Sequence, residues 1–285
     1  MIIERGRQVD NILELEENRI VGTPIFIDDS LIEFQGKGNL LIVEKDVRLS
    51  DSSIRFCGDN AIVYLSQNKK HLYKIRIDAW RNTTIYFGSE NYFNGPLTAI
   101  VSERQNLFVG NDGVFSFGIW IRTADPHILY DNVSKKRINM SKSVMIGDHV
   151  WLGQNALILK GTYIGSGSVV SANCVLSGKN VESNSVFAGN PGKLIKKGIC
   201  FSGESVHNYK RAQTKKSMIL DTDEWIYEKD STTLDVPALF KKITGCKESS
   251  EREEIIQKLA SQWNQKNRFV IEAAKIPLYK RIKQR

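Results

Sequence analysis

Histidine, cysteine, methionine and proline are all scarce in this chain of 285 residues, with four, four, four and six copies. The cysteines, Cys57, Cys174, Cys200 and Cys246, lie far apart and show no spacing of a thiolate metal site. They read as free thiols in a reducing compartment. No uncharged apolar run is long enough to cross a bilayer. The start, MIIERGRQVDNILELEENRI, has charges scattered through it and so lacks the apolar stretch of a signal peptide. A cytoplasmic protein is expected, without a transmembrane segment. Basic helices, zinc-finger spacing and RNA-binding aromatic signatures are also missing, so nucleic acid is not an expected partner.

What is present begins with charge. Lysine and arginine exceed the acids to give a net charge of +8 and a pI near 9.2. That balance favours an anionic partner: a cofactor with phosphates, an acidic polymer, or an anionic membrane face in peripheral association.

The organising stretch is VMIGDHVWLGQNALILKGTYIGSGSVVSANCVL, residues 144–176. Ile146, Leu152, Ile158, Ile164, Val170 and Leu176 follow one another at intervals of six. Gly147, Gly153, Gly165 and Ser171 each come one place later. A helix would rotate such positions around its axis, and plain alternation would not repeat the small residues. A coil of short strands satisfies both: the aliphatic residue points inward, and the small one lets the backbone turn. Cys174 then fits as a small apolar residue within a coil.

Earlier, IEFQGKGNLLIVE (32–44) and IRFCGDNAIVYLS (54–66) echo one another as strand, turn, strand. They predict early, irregular coils, with two hairpins as the alternative. More strand is expected through Ile75, Ile77, Ile85 and Phe87, and the six-residue register returns at Val109, Phe115 and Ile121. Residues 122–143 break that register and read as a loop thrown out between coils, with a basic tip at Ser134, Lys135, Lys136 and Arg137. The stack ends near 184, before a turn at Asn190-Pro191-Gly192. Beyond 200 a mostly helical extension is expected. Asp235 is its predicted N-cap, with Pro237 in the first turn, and a capping box spans Ser250 to Glu253. Ile255, Ile256, Leu259, Trp263, Val270 and Ala274 make one helical face, ended by Pro277. That face is expected to pack on the solenoid or a neighbouring subunit. The chain thus divides into irregular β coils at 1–80, a β-helix core at 81–199 carrying the loop, and the extension at 200–285.

On the motif IGDHVWLGQNALILKGTYIGSGSVVSANCVL, closing with AGNPGKLIKK, the chain resembles the hexapeptide-repeat acyltransferases. The order I-R-x-x-D-x-H at 121–127 is similar to that of bacterial capsule O-acetyltransferases. The match is close over about residues 107–197. The resemblance implies a mainly β protein, a left-handed parallel β-helix, and a homotrimer with sites between subunits. It also implies acetyl transfer from acetyl-CoA to a hydroxyl of a capsular or other surface polysaccharide.

Site residues follow position by position. His127, at the root of the loop, corresponds to the family's catalytic histidine, and imidazole chemistry suits deprotonation of a hydroxyl. Asp125 either orients that imidazole or caps the loop turn. Trp151, in a V-W-L-G setting, would border the active site, or be a surface aromatic covered by a neighbouring subunit. Gln154 and Ala172 would line the pantetheine groove, continued by Ser177 and Lys179. Lys193 and Lys196 would meet the nucleotide phosphates, or be solvated charges. Lys135, Lys136 and Arg137 are candidate contacts to an acidic acceptor. His149 reads as an exposed coil residue. Zinc is not expected, since a γ-carbonic-anhydrase-like site needs a third clustered histidine. Two other readings stay open: N-acetylation of an amino-sugar nucleotide, and a non-catalytic glycan-binding scaffold.

Overall fold

The computed structural model describes residues 2–4, 12–15, 17–246, 248–262 and 264–272. Within them the chain winds as a parallel β-solenoid with three faces. The first face runs from Leu31–Phe34 to Val175–Leu176, the second from Asn18–Val21 to Asn180–Val181. The third begins with Ile25–Phe26 beside Arg48–Leu49, and continues from Tyr92–Phe93 to Ser185–Ala188. Ile32, Ile54, Ile77, Ala99 and Ile121 stack inward on the first face, each paired in parallel with the next. The 32–44 and 54–66 echo is therefore two successive coils rather than two hairpins. The sheets continue unbroken past residue 80, because Ile75–Ala79 pairs with coils on both sides.

Coil size changes along the axis. Early coils place stacked partners 22 or 23 residues apart, with four- or five-residue strands. Late coils close in 18 residues with two-residue strands. Between them partners lie 37 apart, since the excursion intervenes. The wide early coils stack aromatic rings inside: Phe34 on Phe56 at 4.6 Å, and Phe93 against Phe115 at 5.3 Å.

The small residue after each inward aliphatic has a steric cause. A Cβ on Gly153 would stand 2.5 Å from the backbone nitrogen of Ala172 in the next coil, and one on Gly147 2.6 Å from that of Ser166. Neither backbone can retreat without breaking the ladder. Gly153→Ala should therefore lower the melting temperature by several degrees, in line with overpacking costs of about 1–3 kcal/mol. A thermal melt followed by circular dichroism checks this; an unchanged midpoint would show that the coils can separate.

The extension is less helical than the sequence suggested. Among the described residues it holds the turn Val206–Asn208 and the helices Arg211–Lys216, Val236–Gly245 and Ser249–Ser261. Asp235 caps the second of these by accepting from the Ala238 amide at 3.0 Å. The capping box of the last lies at Glu248 and Glu251, two places before the predicted one. That helix ends at Ser261 and Val270 is not helical; Trp263, Ala274 and Pro277 lie outside the described residues.

Both long helices pack on the outer side of the second face. Phe240 meets Phe108 at 4.9 Å and Tyr163 at 5.9 Å, and Tyr64, Tyr86 and Met145 are buried with them in a second core. The period-six pattern misses this core because it lies on outward-facing positions. The chain then returns to the solenoid, where fully buried Arg268 donates to both carboxylate oxygens of Asp148, at 2.8 and 3.1 Å.

Candidate active site

The excursion leaves the first face after Trp120–Arg122 and rejoins the second at Val144–Ile146, so it springs from the corner between them. It folds as a hairpin, bridged between Tyr130 and Arg137. Two polar clamps fix it to that corner. In one, Arg137 and Ser141 bind Glu103, with Arg137 Nη2 2.8 Å from Oε2. Arg137 and then Ser141 hold the Glu103 carboxyl down at about 2. In the other, Lys160 Nζ reaches Asp125 Oδ2 at 2.5 Å, and buried Asn139 donates to the same oxygen at 3.0 Å.

These clamps revise two expectations. Asp125 is committed to Lys160 and Asn139, whose hydrogen bonds lower its pKa, so it fixes the loop rather than orienting the imidazole. Arg137 belongs to the Glu103 clamp, which leaves Lys135 and Lys136 as the exposed part of the basic tip. His127 itself is exposed, and no side chain among the described residues bonds its imidazole. It is open to a substrate hydroxyl.

Trp151 stands on the third face, 42% exposed, between Val114 and Val169 in the neighbouring coils. That face lies opposite the corner from which the loop springs. Gln154 and Ala172 occupy the corner between the third and first faces in consecutive coils; the Asn173 amide donates to the Gln154 carbonyl at 2.8 Å. Ser177 and Lys179 lie instead on the loop's own corner, where the Gly178 amide reaches the Lys160 carbonyl. Lys193 and Lys196 are exposed on Lys193–Lys197, antiparallel to the last strand of the third face. One chain thus presents the predicted positions in two groups: His127, Ser177 and Lys179 on one side, Trp151, Gln154, Ala172, Lys193 and Lys196 on the other.

His149 is not an exposed coil residue. It is 1% exposed and takes a left-handed backbone, φ 50°, at a corner where Asp112 and Asn184 do the same in other coils. Asn, Asp and His are the non-glycine residues that accept this conformation best. Its ring lies between Phe201 at 4.0 Å and Trp225 at 3.8 Å, both nearly parallel to it. Nδ1 pairs with Asp112 Oδ2 at 2.8 Å, and Nε2 with the Phe201 carbonyl at 2.9 Å. His149 therefore docks the extension beside Trp151, which Phe201 also approaches at 6.0 Å. Its partners lie 37 and 52 residues away, and no local signal pointed to them.

Three of the four cysteines are disfavoured as nucleophiles. Burial, with Asp78 beside it, pushes the Cys57 thiol up to about 11, and burial also raises Cys174 and Cys246. Thiols held protonated are poor nucleophiles.

This architecture has known counterparts. Residues 143–178 match the family model described as bacterial transferase hexapeptide (six repeats). Those residues are hexapeptide repeats, and the fold is of the left-handed β-helix class. More particularly, the chain is 31% identical over 144 residues to the polysialic acid O-acetyltransferase of Escherichia coli O1:K1 / APEC, covering 50% of this chain and 40% of that protein. It is 32% identical to a putative lipopolysaccharide biosynthesis O-acetyl transferase of Escherichia coli strain K12, covering 43% and 65%. The chain thus spans less than two thirds of these curated relatives. The crystal structure of the polySia specific acetyltransferase NeuO superposes with a TM-score of 0.60 at 28% identity, covering 70% of this chain and 93% of that one.

Proposed function

We propose that the protein is an acetyl-CoA-dependent O-acetyltransferase acting on a hydroxyl of a capsular or other surface polysaccharide. The observation that carries this reading is His127, exposed on a clamped loop beside the hexapeptide coils, in a chain whose relatives are named for O-acetylation of polysialic acid and lipopolysaccharide.

In the mechanism His127 takes the proton of the acceptor hydroxyl as its oxygen attacks the thioester carbonyl. The C–O bond forms, and backbone N–H groups stabilise the oxyanion. Collapse breaks the C–S bond, and the leaving CoA sulfur receives the proton from the imidazolium. No acyl-enzyme is required.

The two groups of site residues lie apart on one chain, which supports a cyclic assembly as the working unit, a homotrimer as the family resemblance implies. Each cleft pairs His127, Ser177 and Lys179 of one copy with the Trp151, Gln154 and Ala172 side of the next. Large apolar side chains exposed on the loop, Ile128, Leu129, Tyr130, Val133, Ile138 and Met140, are 52 to 86% accessible in the isolated chain and suit burial against that neighbour. Light scattering should give three chains per particle.

The test of function is incubation with acetyl-CoA and a panel of surface polysaccharides, polysialic acid among them. Released thiol and a mass increase of one acetyl group are the expected readouts. Acetylation of an amino-sugar nucleotide in preference to every polysaccharide would replace this reading.

If the loop tip attracts a polyanionic acceptor, neutralising Lys135 and Lys136 together should raise KM at low salt, with the effect fading as salt screens the field. An unchanged KM at low salt would leave the tip as solvated charge. Arg137→Gln should behave differently, by loosening the Glu103 clamp.

A further inference from the structure

We infer that Asn139 is a positioning residue for acetyl transfer, because its side-chain amide fastens the backbone on both sides of the His127 side chain; this rests on His127 as the base. Asn139 is 7% exposed, although it lies on an excursion most of whose residues face solvent. Its Nδ2 donates to the His127 carbonyl at 2.7 Å and to Asp125 Oδ2 at 3.0 Å. Its Oδ1 accepts from the Leu129 amide at 2.9 Å. Both amide hydrogens and the oxygen are thereby used on residues 125, 127 and 129, which bracket the imidazole at alternate positions.

The bracket is itself anchored. Lys160, in the following coil, donates to Asp125 at 2.5 Å and to the Asn139 carbonyl at 3.2 Å. The pose of His127 is thus set by the coil below it through Lys160, Asp125 and Asn139. No other residue type supplies this pattern at the same length. Aspartate is isosteric but has no donors, and would set a second carboxylate against Asp125 and the His127 carbonyl. The imidazole meanwhile has no side-chain partner among the described residues, so its position depends on how well its own backbone is held. Displacements near 1 Å at a reacting group cost up to about a hundredfold in rate.

The experiment is a double-mutant cycle with the fastest acceptor from the polysaccharide panel. Turnover, CoA affinity by calorimetry and the His127 Cε1–H resonance are measured for wild type, Asn139→Ala, His127→Ala and the double variant. Asn139→Ala should lower kcat by roughly ten- to a hundredfold, with CoA affinity unchanged and a shifted His127 resonance. The double variant should be no slower than His127→Ala alone. Near-normal kcat in Asn139→Ala overturns the proposal, as does a further loss when Asn139→Ala is added to His127→Ala. Near-normal turnover in His127→Ala instead removes the base assignment, and is seen separately because each single variant is measured. Should Asn139→Ala lose CoA binding and so report misfolding, Lys160→Met carries the decision. It keeps the Asn139 bracket but removes its anchor, and should lower kcat severalfold; an unchanged kcat there overturns the proposal.

Discussion

Replacing His127 with alanine should cut turnover by roughly two to four powers of ten, the usual contribution of a general base. CoA affinity should hold, because the proposed cofactor groove is built by the coils around Gln154 and Ala172. The fold should hold as well, since the imidazole is exposed and makes no side-chain hydrogen bond among the described residues. Steady-state rates paired with calorimetric CoA binding read the two effects apart. Near-normal turnover would defeat the assignment. A joint loss of turnover, CoA binding and thermal stability would make His127 a structural residue. Trp151→Ala should show the opposite pattern: weaker substrate binding with a smaller change in kcat.

The largest expected effect on stability lies far from that chemistry. Asp148 and Arg268 form a buried pair, with Arg268 fully buried, and Asp148 also accepts from the Asn111 amide at 2.7 Å. Asp148→Ala leaves a guanidinium inside the protein without its counter-charge, which costs about 3–5 kcal/mol. The melting temperature should fall by on the order of ten degrees. Replacing both, as Asp148→Asn with Arg268→Met, should recover much of the loss, because the isolated charge rather than the missing attraction dominates it. An Asp148→Ala protein that melts with wild type would show that water reaches Arg268.

How far the sequence announced all this depended on coil size. In 18-residue coils each face takes one hexad, so the aliphatic positions from Ile146 to Leu176 fall at a fixed interval and the solenoid can be read directly. In coils of 22 or 23 residues the strands lengthen and the corners vary, so the six-residue interval survives only in part, as at Val109, Phe115 and Ile121, beside the echo between residues 32–34 and 54–56. That echo is the stacked pair of rings themselves. The corner loop was legible because polarity rises where the register fails, but its clamps were not. Glu103 and Arg137 are 34 residues apart, Asp125 and Lys160 35. His149 was misread for the same reason: from its hexad it is a polar corner residue, and only the returning extension buries it under Phe201 and Trp225. The helices were placed well where a cap marked them, as at Asp235, and poorly where apolar spacing alone was followed beyond Ser261.

The two ends of the solenoid carry one further implication. A stack of parallel coils offers open ladders above and below, and identical ladders on separate molecules could join into a filament. Here Ile2–Glu4 runs antiparallel on the first face and Ile12–Leu15 antiparallel on the second, while Lys193–Lys197 reverses across the third at the far end. A reversed strand presents the wrong hydrogen-bond pattern for another coil, and the last one adds three lysines along its edge. The first and second faces are thus closed by a reversed strand at one end, and the third face at the other. On the faces they cover, these reversals disfavour end-to-end pairing of copies into a fibre.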